Sequence, residues 1–214
     1  MATPHGGSGM EYLFYCRDRP RTRPLRDELL EAHRTFMDGY AEGMIARGPT
    51  FAADGETVTG SVHIVDLPDA DAVRRFAYDE PNHRAGVYEP EVLIRRWGNT
   101  LGRTMWDFEG SAPPGPRFLI LAHARPGSTA ARDALHAEQR RHLLDGEHAG
   151  SLIVCGPLLS EDGAQWLGTA ILAELPDHAA ATALLARGPY ARADLYASIE
   201  AHAWCFGGRD QDDD

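Results

Sequence analysis

The second half of this 214-residue chain repeats the first about 107 residues later, and that repeat limits its possible folds more than any other feature. Gly60-Ser61-Val62-His63-Ile64-Val65-Asp66-Leu67-Pro68-Asp69 lies over Gly168-Thr169-Ala170-Ile171-Leu172-Ala173-Glu174-Leu175-Pro176-Asp177 without a gap, so an apolar run ends twice in an acidic-Leu-Pro-Asp corner. Gly48-Pro49 and Asp54-Gly55 match Gly156-Pro157 and Asp162-Gly163, while Pro81 and Tyr88 fall on Pro189 and Tyr196. Tyr12-Leu13-Phe14-Tyr15 matches Phe118-Leu119-Ile120-Leu121. Each half therefore reads as one complete unit. The chain divides into a flexible N-terminus (1–9), a first repeat (10–98), a linker (99–116) whose clustered prolines forbid helix and sheet, a second repeat (117–207) and an acidic tail (208–214).

Within a unit the signals run strand, helix, strand, strand, helix, strand. Residues 11–16 suit a strand, and Pro24 suits the first turn of a helix carrying Leu29, His33, Phe36, Met37 and Tyr40 along one face. Residues 44–51 and 58–67 form strands around the Asp54-Gly55 turn; Asp69 caps a helix through Tyr78 that Pro81 stops, and 89–97 supply the last strand. The fold class expected is α+β: two ferredoxin-like βαββαβ repeats whose antiparallel sheets pack as a pseudo-dimeric α+β barrel, with a cleft between each sheet and its helices.

A formal charge of −11 argues against a nucleic-acid partner, which needs a cationic footprint. No stretch approaches the ~20 apolar residues of a membrane span. Met1 to Met10 lack the apolar core of a signal peptide, and Cys16, Cys155 and Cys205 are odd in number and far apart. A cytoplasmic protein with no membrane attachment is expected. His136, His142 and His148 recur every six residues, which places them on different helix faces, so no metal site is expected.

A His midway along the first helix (Arg26 to Glu42), the Gly43 and Gly48-Pro49 corner, Gly60-Ser61 opening a strand, and Asp79-Glu80-Pro81 leading to Ala85-Gly86-Val87-Tyr88 occur in an order that resembles the YCII-related family of dimeric α+β barrel proteins. The resemblance spans nearly all of the first half and more loosely the second. It implies a small-molecule enzyme with a His-carboxylate pair: His33 from the first helix, and Glu80 or the adjacent Asp79 from just before the proline. An imidazole, with an ordinary pKa of about 6.5, can take and return a proton at neutral pH, and a carboxylate on its far nitrogen fixes the tautomer. In the second half His33 becomes Gln139 or Arg140, depending on where a one-residue insertion falls, and Asp79-Glu80-Pro81 becomes Arg187-Gly188-Pro189. Neither half of the pair survives there.

His63, His83, Arg84 and Tyr40 are the substrate-binding candidates; solvated loop for His83 and Arg84, and ordinary packing for His63 and Tyr40, are the competing readings. The function expected is cofactor-independent proton-transfer chemistry on a small substrate of aromatic or polyketide-like type: elimination, dehydration, isomerisation or cyclisation, in the setting of secondary metabolism. A cofactor-free monooxygenase and a non-catalytic binding protein are the alternatives.

Overall fold

The structure, a computed structural model, describes residues 9–208. The expected N-terminal arm up to Ser8 and the acidic tail beyond Gly208 lie outside the described residues. Strands β1 (Met10–Arg17), β2 (Met44–Phe51), β3 (Val58–Leu67) and β4 (Leu93–Trp97) belong to the first half, and β5 (Arg117–Ala124), β6 (Leu152–Leu159), β7 (Trp166–Glu174) and β8 (Tyr196–Trp204) to the second. All pairings are antiparallel, and the closed order is β1-β3-β2-β8-β5-β7-β6-β4. Each half contributes a four-stranded sheet of the same internal order. The two sheets face each other across one shared core. They join edge to edge through two short seams, Thr50 with Trp204 and Phe51 with Ala203 on one side, Arg96 with Leu159 and Trp97 with Leu158 on the other.

Alternation along the strands sorts side chains between two environments. Leu13, Tyr15, Val62, Ile64, Leu119, Leu121 and Leu172 point into one core shared by both halves, closed by Trp97 and Trp204 from the seams. Met105, from a helical turn within the connecting segment (Met105–Asp107), packs into that same core, so the connection between repeats also fills the barrel. The opposite parity, including Tyr12, Phe14, Val65 and Leu67, packs under the helices of the first half.

Helices α1 (Arg23–Glu28) and α2 (Leu30–Asp38) replace the single helix expected over 26–42. The chain bends at Leu29, where φ −91° and ψ 1° leave the helical range, and a short turn at Ala41–Gly43 follows. Helix α3 (Ala70–Tyr78) starts where expected, because Asp69 accepts the Ala72 N–H at 2.7 Å; Asp177 does the same for α6 (His178–Ala186) through Ala180 at 2.8 Å. The repeated Leu-Pro-Asp corner is thus a helix cap, a feature with a typical value of about 1 kcal/mol. Pro81 stops α3 by opening a second short helix, α4 (Pro81–Arg84), with Glu80 as its cap. The second half repeats this with α5 (Thr129–Leu144), which is unbroken, and α7 (Pro189–Arg192).

The Gly-Pro corners have a packing reason. A side chain on Gly48 would collide with the Cys205 carbonyl oxygen, and one on Gly156 with the Gly98 carbonyl oxygen. These are the points where the backbone leaving one half crosses a strand of the other.

Candidate active site

Strand β3 presents Ser61 and His63 on the face turned toward α1 and α2, since Val62 and Ile64 point into the barrel. Between that face and the helices lies a cavity of about 310 Å³, within the range of small-molecule sites. His33 of α2 lines it, with Leu30 and Met37 one helical turn either side. Phe206 and Gly207 line it too, so the second half supplies part of the wall of the first half's cleft.

His33 Nδ1 lies 2.7 Å from Glu80 Oε1. Glu80 is 3% exposed, and its Oε2 accepts the His83 N–H at 2.9 Å, the capping bond of α4. One carboxylate therefore serves two purposes, and the cap fixes how it meets the imidazole. Because a carboxylate only accepts, Nδ1 carries the proton in this contact, and Nε2 keeps its lone pair for a ligand. His63 stands beside His33 with ring centroids 5.7 Å apart and is 2% exposed. Burial above all, then repulsion from His33 whenever it is protonated and from Arg26 and Arg47, holds the His63 imidazole well below its ordinary pKa, so His63 is neutral.

A second network braces the site. Arg26 Nη1 donates to Asp18 Oδ1 at 2.9 Å and Nη2 to Ser61 Oγ at 2.6 Å; the Tyr88 hydroxyl donates to the same Ser61 Oγ at 3.3 Å and accepts from Asn82 Nδ2 at 3.3 Å. Burial raises the Asp18 carboxyl to about 6 despite the opposing pull of Arg26. Thr169 Oγ1 and the Tyr196 hydroxyl pair at 2.9 Å in the second half, so the Ser61–Tyr88 part of the frame recurs there, while Arg132, at the position of Arg26, pairs with Asp133 at 2.8 Å instead.

Of the residues singled out from sequence, the structure brings His33, Glu80 and His63 together and does not bring the others. Asp79 is exposed at the C-terminal end of α3, while Glu80 turns inward as the cap of α4. Tyr40 is half-buried and packs on Phe36 and Phe76, at 5.2 and 4.9 Å, outside the cavity lining. His83 stacks edge-on against Tyr78 at 5.0 Å, and Arg84 is exposed; α4 turns both away from the cleft. Arg47, Arg26 and Phe206 line the cavity and were not among the candidates. The exchange of Arg47 for Cys155 between repeats was the available signal for the first of them.

The second cleft is nearly closed, at about 40 Å³. Trp166 occupies the position of Val58 and Tyr190 that of Asn82, with their rings 5.1 Å apart. Gln139 is the counterpart of His33, because its Oε1 accepts the Tyr190 N–H at 3.2 Å beside the Gly188-Pro189 corner. Ile171 and Gly188 replace His63 and Glu80. Among the described residues no group of three or more His, Cys, Asp or Glu side chains is placed to hold a metal ion, and no helix is long and apolar enough to cross a membrane.

Fold and cleft together define a duplicated eight-stranded α+β barrel whose two clefts have diverged. Residues 10–98 and 117–204 each match the YCII-related domain, and the chain belongs to that family. Among curated proteins none matches it. Solved structures of similar shape include a putative monooxygenase from Lactobacillus acidophilus (8% identity, 93% of this chain and 94% of that one, TM-score 0.53). A mutant chlorite dismutase from Candidatus Nitrospira defluvii in complex with cyanide is another (8% identity, 96% and 95%, TM-score 0.59). A single-repeat match is 5-chloro-2-hydroxyhydroquinone dehydrochlorinase from Burkholderia phenoliruptrix, at 26% identity over 44% of this chain and 99% of that one, TM-score 0.40. At such identities the two full-length likenesses are likenesses of fold.

Proposed function

We propose that the first cleft catalyses cofactor-independent proton transfer on a small organic molecule, with His33 as general base and Glu80 as its orienting partner. The observation that carries this reading is the 2.7 Å contact between His33 Nδ1 and the buried Glu80 Oε1 at the wall of a cavity. Nε2 takes a proton from an acidic C–H or O–H of the substrate; the imidazolium so formed is stabilised by Glu80 and returns the proton to a second substrate atom or to a leaving group. That sequence accounts for elimination, dehydration, isomerisation or cyclisation, and the apolar walls from Leu30, Met37, Val58 and Phe206 suit a planar, aromatic or polyketide-like skeleton. Neutral His63 is suited to donate or accept a hydrogen bond without adding charge.

The test is exchange of substrate protons for deuterium in D2O across a panel of phenolic and β-dicarbonyl compounds, followed by NMR. Wild-type protein is expected to accelerate exchange or conversion of at least one compound, and His33→Ala to lose that acceleration by about 10²-fold or more. Full activity in His33→Ala would sink the reading. Oxygen uptake matched to substrate loss would instead support a cofactor-free monooxygenase.

A further inference from the structure

The first cleft is cationic within an acidic protein. Arg23, Arg26, Arg34 and Arg47 line it, against the single acid Asp27. Three of the four guanidiniums have explanations other than ligand binding. Arg23 pairs with Asp27 at 2.7 Å on the exposed face of α1. Arg26 spends its donors on Asp18 and Ser61, and an arginine, Arg132, stands at the same position of the second half, where it pairs with Asp133. Arg34 has its counterpart in Arg140, beside the nearly closed cleft.

Arg47 is different. It sits on β2 directly across from His63 of β3, and the second repeat carries Cys155 at its position. Its side chain is 14% exposed, Nη1 is 3.5 Å from Asp38 Oδ1, and Nε is buried without a hydrogen-bond partner. Asp38 is 40% exposed, so this ion pair is partly screened by water. A buried N–H left without an acceptor is unfavourable, and a ligand that accepts from it at the cavity wall removes that cost. The edge of a guanidinium offers two parallel N–H groups whose spacing fits a carboxylate. Gly208 passes beside this side chain, the Gly207 N–H donates to the Arg47 carbonyl at 3.0 Å, and Phe206, held by Arg117 at 4.1 Å and Trp204 at 5.2 Å, lines the same cavity.

We propose that Arg47 anchors a carboxylate of the substrate, so that the first cleft takes planar organic acids. This rests on the proton-transfer reading for the word substrate, but its test needs no reaction. Benzoate and benzamide have the same shape and differ in charge, and neither has a proton for His33 to abstract. Binding of each is measured by ligand-observed NMR on the full chain, for wild type, Arg47→Gln, Arg47→Lys and His33→Gln. Benzoate is expected to bind wild type at least tenfold more tightly than benzamide. Arg47→Gln removes that preference and leaves benzamide unchanged; Arg47→Lys keeps part of it, because a point charge remains without the fork; His33→Gln keeps the preference even though it ends proton transfer. Equal affinity of the two compounds for wild type, no detectable binding of benzoate, or an undiminished preference in Arg47→Gln each overturns the proposal. Should Arg47→Gln fail to fold, the wild-type comparison and Arg47→Lys still decide it. Loss of turnover in His33→Ala without charge preference in wild type would leave the proton-transfer reading standing and remove this one alone.

Discussion

Gln139 Oε1 accepts the Tyr190 N–H in the second half at the corner where Glu80 Oε1 meets His33 in the first. A neutral amide there ties helix to corner without any group that can exchange a proton at neutral pH. The tie and the chemistry are thus separable, and His33→Gln separates them. This variant is expected to melt within a few degrees of wild type and to lose about 10²-fold or more in turnover. Glu80→Gln, which keeps an acceptor for the His83 N–H, should lower kcat with little change in KM. Steady-state kinetics with thermal unfolding checks both.

The two clefts differ in what fills them. Val58→Trp with Asn82→Tyr copies the Trp166–Tyr190 pair into the first half and should abolish ligand binding while leaving the barrel intact. Conversely, Trp166→Val opens the second cleft and removes a 3% exposed indole, at a cost of about 3 kcal/mol by urea unfolding.

His63 makes acid stability diagnostic. Its folded-state pKa lies well below 6.5, so below that pH the unfolded chain binds a proton that the folded protein excludes. Stability must therefore fall as pH drops through about 6.5, by up to about 1.4 kcal/mol per pH unit from this group. His63→Ile, the residue at Ile171, takes up no proton in either state. Denaturant unfolding from pH 4 to 8 should show a shallower acid limb in the variant than in wild type, with the two curves parallel above pH 7.

Gly48→Ala sets a methyl against the Cys205 carbonyl oxygen and the Trp204 indole at the seam between β2 and β8. A destabilisation of about 1–3 kcal/mol is expected, read by denaturant midpoint. Gly156→Ala, facing the Gly98 carbonyl oxygen, should behave alike at the opposite seam. Unchanged stability in both variants would mean that the crossings yield easily.

The repeat exposed the architecture because backbone geometry is what both copies preserve: the Leu-Pro-Asp caps, the Gly-Pro crossings and the Asp-Gly turns mark the same bends twice. Divergence exposed the chemistry, since His33 and Glu80 vanish together from the second copy. Asp79 and Glu80 are neighbours in sequence and only the start of α4 decides which turns inward; local pattern does not carry that choice. Tyr40 shared the apolar stripe of a helix expected to run to Glu42, but α2 ends at Asp38 and Tyr40 lies in the turn beyond it, against Phe76. Phe206 could not be read as a cleft residue at all, because its approach depends on how two distant strand edges meet.

That last contact gives the cleft a mechanical role. Arg47 and Phe206 stand on opposite sides of a short seam, two ladder pairs continued by the Cys205 and Gly207 N–H groups donating to the Pro49 and Arg47 carbonyls, so a molecule held between them rivets one repeat to the other. Its affinity for the closed ring, less any affinity for the opened one, is added to the work needed to pull the halves apart. Occupancy and mechanical integrity then become two readings of a single equilibrium.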